Sequence, residues 1–429
     1  MGEDRSGYKI EAEMGRLDVV THRAEIGSRT VYNTRVDLFP KVGPRESYHT
    51  ACYDALELRL SSQMPYRRVE EIMNHLQWQD DGDRVRSRTL ADAVVREGAS
   101  IIDYIDAQKQ AILTRNHFDP ETGQPGAGQT LAMERPEIPS LPAALVEKAI
   151  KEYNAGKEKD RQIDEDQLHE LFENPPECVN VSVDDVGVTE QKATGRSKNP
   201  PSRDHKHYVR NTVIHVQQGL GKYILDGLGV RETLVLLTAF LLHNDLSGKM
   251  IVFFTDGAGD IRSAIKDLYD WAPFRIILDW YHLTKKCRER LSMGLKGREI
   301  RNEVLKELLS LLWLGKLDAA VAYLKNLDAG RVRNPGEIKK LIEYLEKNRS
   351  HIPCYALRKK LGLRTSSNLG EKANDLVVAQ RQKHNGMSWS KSGSSGLANV
   401  RALFLNREDE SWIKRRELKF KLISGRKCA

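Results

Sequence analysis

Lys249–His282 reads KMIVFFTDGAGDIRSAIKDLYDWAPFRIILDWYH, and the order of elements in this stretch decides the fold. Met250 to Thr255 is a short apolar, β-rich run that stops at Asp256-Gly257, the pattern of a strand ending in a turn. Ile261, Ile265, Leu268 and Tyr269 then recur at helical spacing. Arg275 to Leu278 is a second apolar run, closed by Asp279. A strand, a helix and a strand of these lengths predict a βαβ crossover and hence a parallel pair. Both predicted strands end in a carboxylate at their C-terminal edge, where open α/β sheets place their chemistry.

Working upstream, Cys178 to Val188 reads CVNVSVDDVGV. Val179, Val181 and Val183 share one face of a strand, leaving Asn180, Ser182 and Asp184 on the other. Tyr208 to Val216 and Tyr223 to Leu225 continue as strands around Gly219 and Gly221, and Arg231 to His243 is an apolar helix. GLGK at 219–222 lacks the spacing of a phosphate loop. Three consecutive strands followed by parallel βαβ units is the layout of an RNase H-like sheet, so the expected fold class is α/β. On such a sheet the first strand lies beside the first parallel strand, which brings Asp184 and Asp256 to one end. A third carboxylate from a later helix would complete a cage for two divalent cations able to serve phosphodiester chemistry. Hard oxygen ligands suit Mg²⁺, with Mn²⁺ as the alternative.

Downstream of His282 the pattern is helical for a long distance, interrupted at Asn334-Pro335-Gly336 and Ile352-Pro353, and strongly basic at its start. Ser366 to Lys383 predicts one more helix, followed by GMSWSKSG at 386–393 and a helix from Leu397 to Leu405. The resulting division is 177–284, a long helical stretch at 285–365, and 366–429.

Before the core, residues 1–46 alternate weakly and suit a small hairpin module. Residues 47–112 are mostly helical, with Leu90, Ala93, Val94 and Ile101 on a third helix carrying Arg84, Arg86 and Arg88 near its start. A helix-turn-helix DNA-binding region has this form, and so does a plain three-helix bundle with a solvated basic face. Residues 113–176 hold a Pro- and Gly-rich linker from Asp119 to Pro142 and a charged helix from Leu145 to Phe172. Over 429 residues the formal charge is +8, which favours a polyanionic partner. No run is long and apolar enough for a membrane span, and the N-terminus shows no signal-peptide core, so a cytoplasmic, nucleoid-associated protein is expected. The five cysteines contain no C-x-x-C pair and read as reduced thiols.

Single residues keep more than one reading. Asp185 competes with Asp184, and strand parity favours Asp184. Asp279 and His282 are metal ligands, groups that support the ligands, or a local hydrogen-bonded cap. Glu371 is a third acid, or the partner of an Asn368 N-cap in a capping box, with Leu369, Ala373, Leu376 and Val377 as the buried stripe. Trp389 stacks on a strand end or belongs to the core.

The motifs VSVDDVGV, FFTDGAGDI, ILDWYH and SSNLGEKAND with its trailing GMSWS resemble those of bacterial insertion-sequence DDE transposases of the Mutator-like group. They span Val179 to Leu405, and the D-x-x-H after the second Asp is the most specific of them. The resemblance implies Asp184, Asp256 and Glu371 as catalytic metal-binding acids, with Asp279 and His282 as the D-x-x-H pair and Asp185 where many relatives carry Gly. It also implies an RNase H-like core interrupted by a helical insertion, which fits the long gap between Asp256 and Glu371. The expected partners are double-stranded DNA, as terminal inverted repeats and target, and further copies of the chain on that DNA. Arg84, Arg86, Arg88, Lys285, Lys286, Arg381, Lys383 and Trp389 are the expected DNA contacts. A nuclease or resolvase on the same core, or a DNA-binding regulator with vestigial acids, are the alternatives.

Overall fold

The computed structural model describes residues 4–12, 15–26, 29–32, 41–42, 47–77, 85–126, 140–170, 172–191, 207–383 and 387–424, with backbone alone for the strands before residue 50. The fold is mixed α/β. The chain divides into two compact units: Met1–Gln108, Gly187–Asn211 and Leu376–Lys419 form one, and Lys109–Val186, Thr212–Asp375 and Phe420–Ala429 the other.

The first unit opens with β1 (Asp4–Ala12), β2 (Gly15–Ile26), β3 (Arg29–Tyr32), β4 (Lys41–Val42) and β5 (Ser47–His49), in the sheet order β3-β2-β1-β5-β4. The β1–β2 pair is an antiparallel hairpin. Helices α1 (Ala51–Gln63), α2 (Tyr66–Gln77) and α3 (Ser87–Arg115) follow. Thr50 caps α1 by accepting from the Tyr53 N–H at 3.2 Å, and Pro65 in the short link to α2 ends its ladder. Tyr53, Val69, Met73 and Leu90 form a small core. The Asn74 side chain bonds both the N–H and the C=O of Val85, at 2.8 and 3.0 Å, and so fixes the approach to α3. That helix runs three residues beyond the expected helical region, which ends at residue 112.

Two expectations for residues 113–176 need correction. Of the expected linker from Asp119 to Pro142, residues 127–139 lie outside the described residues, and its start is a folded turn: Asp119 accepts from the N–H groups of Glu121 and Thr122, and Phe118 packs edge-on to Trp271 at 5.0 Å. Helix α4 covers only Ala143–Asn154. The Asn154 side chain then bonds the Ile163 N–H and C=O, at 2.8 and 2.9 Å, turning the chain back through short 3₁₀ turns. A local side-chain bridge of this kind competes with helix propagation, so the charged pattern up to Phe172 does not stay helical.

The second unit is organised on a six-stranded sheet. Its strands are β6 (Cys178–Thr189), β7 (Tyr208–Gln218), β8 (Gly221–Leu228), β9 (Met250–Thr255), β10 (Phe274–Leu278) and β11 (Ile423–Ser424), in the order β10-β9-β6-β7-β8-β11. Strands β6, β9 and β10 are mutually parallel neighbours, and β11 pairs antiparallel with β8. The helix α5 (Val230–His243) leads to β9, and α6 (Gly259–Leu268) connects β9 to β10. Every residue of β9 is buried, as expected for a strand covered on both faces.

After β10 come α7 (Trp280–Gly294), α8 (Arg298–Trp313), α9 (Leu317–Lys325), α10 (Pro335–Lys347) and α11 (Tyr355–Lys360). Pro335 opens α10 where its missing N–H costs nothing, with Asn334 as N-cap. Val252, Phe254 and Ile277 of the sheet share one core with Leu283, Leu291, Val304, Leu308, Leu341 and Leu345 of these helices. The Tyr355 hydroxyl donates to the Leu278 carbonyl at 2.7 Å, and Trp280 packs between Trp313 and Tyr355, each 4.8 Å away. These contacts hold the helical layer to the end of β10. Buried Arg358 forks onto Glu173, which fastens α11 to the segment leading into β6.

Candidate active site

The site follows from strand register. Ser182 of β6 lies opposite Phe254 of β9, and Leu278 of β10 lies opposite Thr255. Counting on, Asp184, Asp256 and Asp279 fall on one level at the C-terminal edge. Neighbouring strands are about 4.8 Å apart, so three carboxylates converge there by backbone geometry alone.

Each is then held differently. Asp256 closes a tight turn in which its Oδ1 accepts from the Ala258 N–H at 2.8 Å. Gly257 has φ +87°, and a Cβ there would sit 2.9 Å from Leu278 Cδ1, so only glycine makes this turn at this spot. Asp279 is fully buried and caps α7, Oδ1 accepting from the His282 N–H at 2.9 Å while Oδ2 accepts from the Ser367 N–H. Burial alone would raise its pKa; the contacts with His282 and Ser367 outweigh this and hold the carboxyl below the usual range. Asp184 accepts from the Asn374 amide, whereas Asp185 accepts from the Thr212 hydroxyl at 3.1 Å.

The fourth carboxylate arrives on α12 (Asn368–Asn374). Ser367 is its N-cap residue, so Asn368 is not, and Glu371 lies one position past the capping-box place. Ala373 and Val377 of the expected stripe are buried, with Gly370 and Asn374 beside them, but Leu369 is exposed, which corrects its place in that stripe. Leu369 is displaced because Gly370 is what meets the sheet: a Cβ on Gly370 would collide with the Ser182 side chain. That close approach sets Glu371 beside the strand ends. Its Oε1 is 3.5 Å from His282 Nδ1, which is itself 3.3 Å from Asp279 Oδ1.

Gly370→Ala is therefore expected to lift α12 from β6 and misplace Glu371. Such a shift costs about 100-fold in any rate that depends on this site, with stability falling by about 1–3 kcal/mol through overpacking. Single-turnover kinetics and thermal unfolding measure both; an unchanged rate would show that α12 does not seat on Gly370.

The charges in the cluster act on one another. Burial raises the Asp184 pKa, and Asp256 adds to the rise while Asn374 and His282 oppose it. Glu371 is also raised, by burial first and then by Asp279 and Asp184, against His282 and Lys285. Burial alone would lower the His282 pKa, but Asp279, Glu371 and Asp256 together raise it. Carboxylates crowded to this degree want a cation. Among the described residues Glu371 Oε1 has no hydrogen-bond partner, and the charge nearest to it is that of His282, whose Nδ1 stands between it and Asp279 Oδ1. Donor atoms of Asp279, His282 and Glu371 lie within 4.8 Å of one another. Because both Asp279 oxygens already accept backbone N–H groups, we regard Asp279 as the anchor of this trio. Asp184 and Asp256 stand on the same strand-end level, outside that trio.

The expected DNA contacts separate. Lys285 is exposed and its charge reaches Glu371, while Lys286 is half-buried with Nζ 6.0 Å from the Tyr344 ring. Arg86, Arg88 and Lys383 are exposed, Arg88 pairing with Asp92 at 3.1 Å; Arg84 lies outside the described residues. Arg381 and Trp389 are a correction. Trp389 is 5% exposed and donates its indole N–H to the Gln382 carbonyl at 3.2 Å, edge-on to Tyr66. The Arg381 guanidinium is buried 4.8 Å from Tyr66 and 5.4 Å from Trp389. Both belong to the interior of the first unit, where the cation lies against the aromatic pair. Asn374 and Gly370 escaped the sequence analysis; the available signal was their position on the helix of Glu371, one turn after it and one residue before it.

The molecule is thus an α/β protein with an acidic cluster at the C-terminal edge of parallel strands. No family model and no curated protein matches the chain. A solved structure described as "Drosophila P element transposase strand transfer complex" shares 13% identity, covering 86% of this chain and 88% of that one, at a TM-score of 0.21. A score that low carries no argument about fold or activity.

Proposed function

We propose that this chain is a metal-dependent DNA transposase that cleaves the ends of its own element and joins them to target DNA. The observation that carries this reading is the convergence of Asp184 and Asp256, set level by strand register, with Glu371 delivered by α12. On this reading the second unit's sheet is an RNase H-like core, and the helices between residues 285 and 365 are its insertion. Asp184, Asp256 and Glu371 would hold two Mg²⁺ or Mn²⁺ ions. When bound, such a pair would activate the attacking oxygen and stabilise the leaving one in phosphodiester displacement.

The protein's own part is positioning. Asp279 caps α7 and orients His282, and His282 in turn stands against Glu371, balancing its charge. Exposed Lys285 beside Glu371 offers a cation to a phosphate, and so do Arg86, just before α3, and Arg88 in its first turn. The partner is double-stranded DNA, with further copies of the chain assembling on it. No helix among the described residues is long and apolar enough to cross a membrane.

The test incubates purified protein with DNA carrying the element ends, a target plasmid and Mg²⁺, scoring nicking and joining separately. Nicking with joining supports the transposase. Nicking alone makes the chain a nuclease or resolvase, and binding without either makes it a regulator with vestigial acids.

A further inference from the structure

Asn374 sits one helical turn beyond Glu371 on α12 and is 7% exposed. Its side chain does one visible thing: Nδ2 donates to Asp184 Oδ2. An ionised carboxylate only accepts, so the amide nitrogen must be the atom that faces it. The amide oxygen, part of the same planar group, is then buried with no hydrogen-bond donor among the described residues. Buried polar atoms are nearly always satisfied, and a buried side-chain carbonyl without a donor marks a place where water or a ligand belongs. The helix is seated close to the strand here, with Gly370 against Ser182, two residues before Asp184. Immediately after Asn374 the helix widens into a π turn at Asp375–Ala379, a local change of pitch often found at functional sites.

We propose that Asn374 is a positioning residue of the metal site: its N–H fixes the rotamer of Asp184, and its carbonyl oxygen accepts from an O–H donor held at the cation. The donor class is shared by water, in cleavage, and by a terminal 3′-hydroxyl, in joining. A neutral amide suits the place. It orients Asp184 without adding a further negative charge to a cluster in which Asp184 and Glu371 already repel. The inference rests on the metal-site reading above and deepens it.

The test uses the full chain with Mn²⁺ as probe, its binding followed by loss of the free-ion electron paramagnetic signal and by the Mn²⁺-dependent rise in unfolding temperature. Groups that orient metal ligands typically control affinity by about 10–100-fold, so Asn374→Ala is expected to raise the half-saturating Mn²⁺ concentration by that order. Single-turnover cleavage should recover substantially at saturating Mn²⁺. If the loss at saturation is larger for cleavage, the carbonyl serves water; if larger for joining, it serves the 3′-hydroxyl. Unchanged half-saturation in Asn374→Ala overturns the proposal. Asn374→Asp is the second variant should the alanine not fold. It is isosteric but sets a carboxylate against Asp184, so its metal-free unfolding temperature should fall and its Mn²⁺-dependent rise should exceed that of the wild type. An Asn374→Asp protein matching the wild type in both overturns the proposal as well. Weakened Mn²⁺ binding by Asn374→Ala, in a protein that neither nicks nor joins DNA, would sustain Asn374's role and remove the transposase reading. Normal Mn²⁺ binding by that variant, with a wild type that cuts and joins, would do the reverse.

Discussion

Asp256→Asn is expected to lose DNA cleavage almost completely while folding and binding DNA as the wild type does. The substitution is chosen because of the turn. Asp256 Oδ1 accepts from the Ala258 N–H at 2.8 Å, and an asparagine oxygen can keep that bond, whereas alanine would leave the turn unsupported. What asparagine removes is the negative charge at the centre of the level formed by Asp184, Asp256 and Asp279. Removing one electrostatic contributor from a preorganised site costs about 100–1000-fold in rate, and a metal ligand belongs at the upper end. Electrophoretic mobility shift with element-end DNA should be unaltered, since on the proposed reading Asp256 would hold metal rather than phosphate. Cleavage at the wild-type rate would exclude Asp256 as a ligand.

Glu371→Gln should have an effect of similar size, and the structure makes it a sharper test than spacing alone could. Had Glu371 been the partner of an Asn368 cap, glutamine would preserve the reciprocal bond and change little. With Ser367 as the N-cap residue, the Glu371 side chain has no capping duty. It stands instead 3.5 Å from His282 Nδ1 with Oε1 otherwise unbonded. Glutamine therefore leaves the helix intact and removes only the charge. Cleavage in both Mg²⁺ and Mn²⁺ should collapse by about 100-fold or more, with unfolding temperature near that of the wild type. Glu371→Asp should also be poor, because the shorter arm withdraws the oxygens, and small displacements cost about 100-fold. Asp375 supplies the control: it is half-exposed and pairs with Lys372 at 3.5 Å, so Asp375→Asn should be mild. Near-normal cleavage by Glu371→Gln would remove it from the acid set.

Much of the second unit was legible in the chain because its signals are local. The apolar run of β9 ended by Asp-Gly, the helical spacing of Ile261 and Ile265, and the run of β10 ended by Asp279 are patterns of a few residues. The structure reproduces them in order, with β6 beside β9. The same holds for Asn334-Pro335-Gly336, which starts α10 through ordinary cap chemistry. Residues 145–172 were misjudged because a charged helical period continues past Asn154, while a side-chain bridge to Ile163 turns the backbone away.

The sequence by itself determined which carboxylates end the strands, and parallel pairing then sets them level, because register and pleat follow from backbone geometry. Only the tertiary structure decided which face of α12 meets the sheet. Leu369 has the larger apolar surface, yet Gly370 takes the contact, since the absence of a Cβ lets the helix approach Ser182 more closely than any side chain allows. That approach selects Asn374 over Asp375 as the neighbour of Asp184 and turns Glu371 toward His282. Tertiary structure likewise took Trp389 and Arg381 out of the candidate DNA surface by packing them with Tyr66, far away in the chain. Local pattern reports which groups a segment carries; which of them face one another depends on steric fit between segments, and that exists only once the chain is folded.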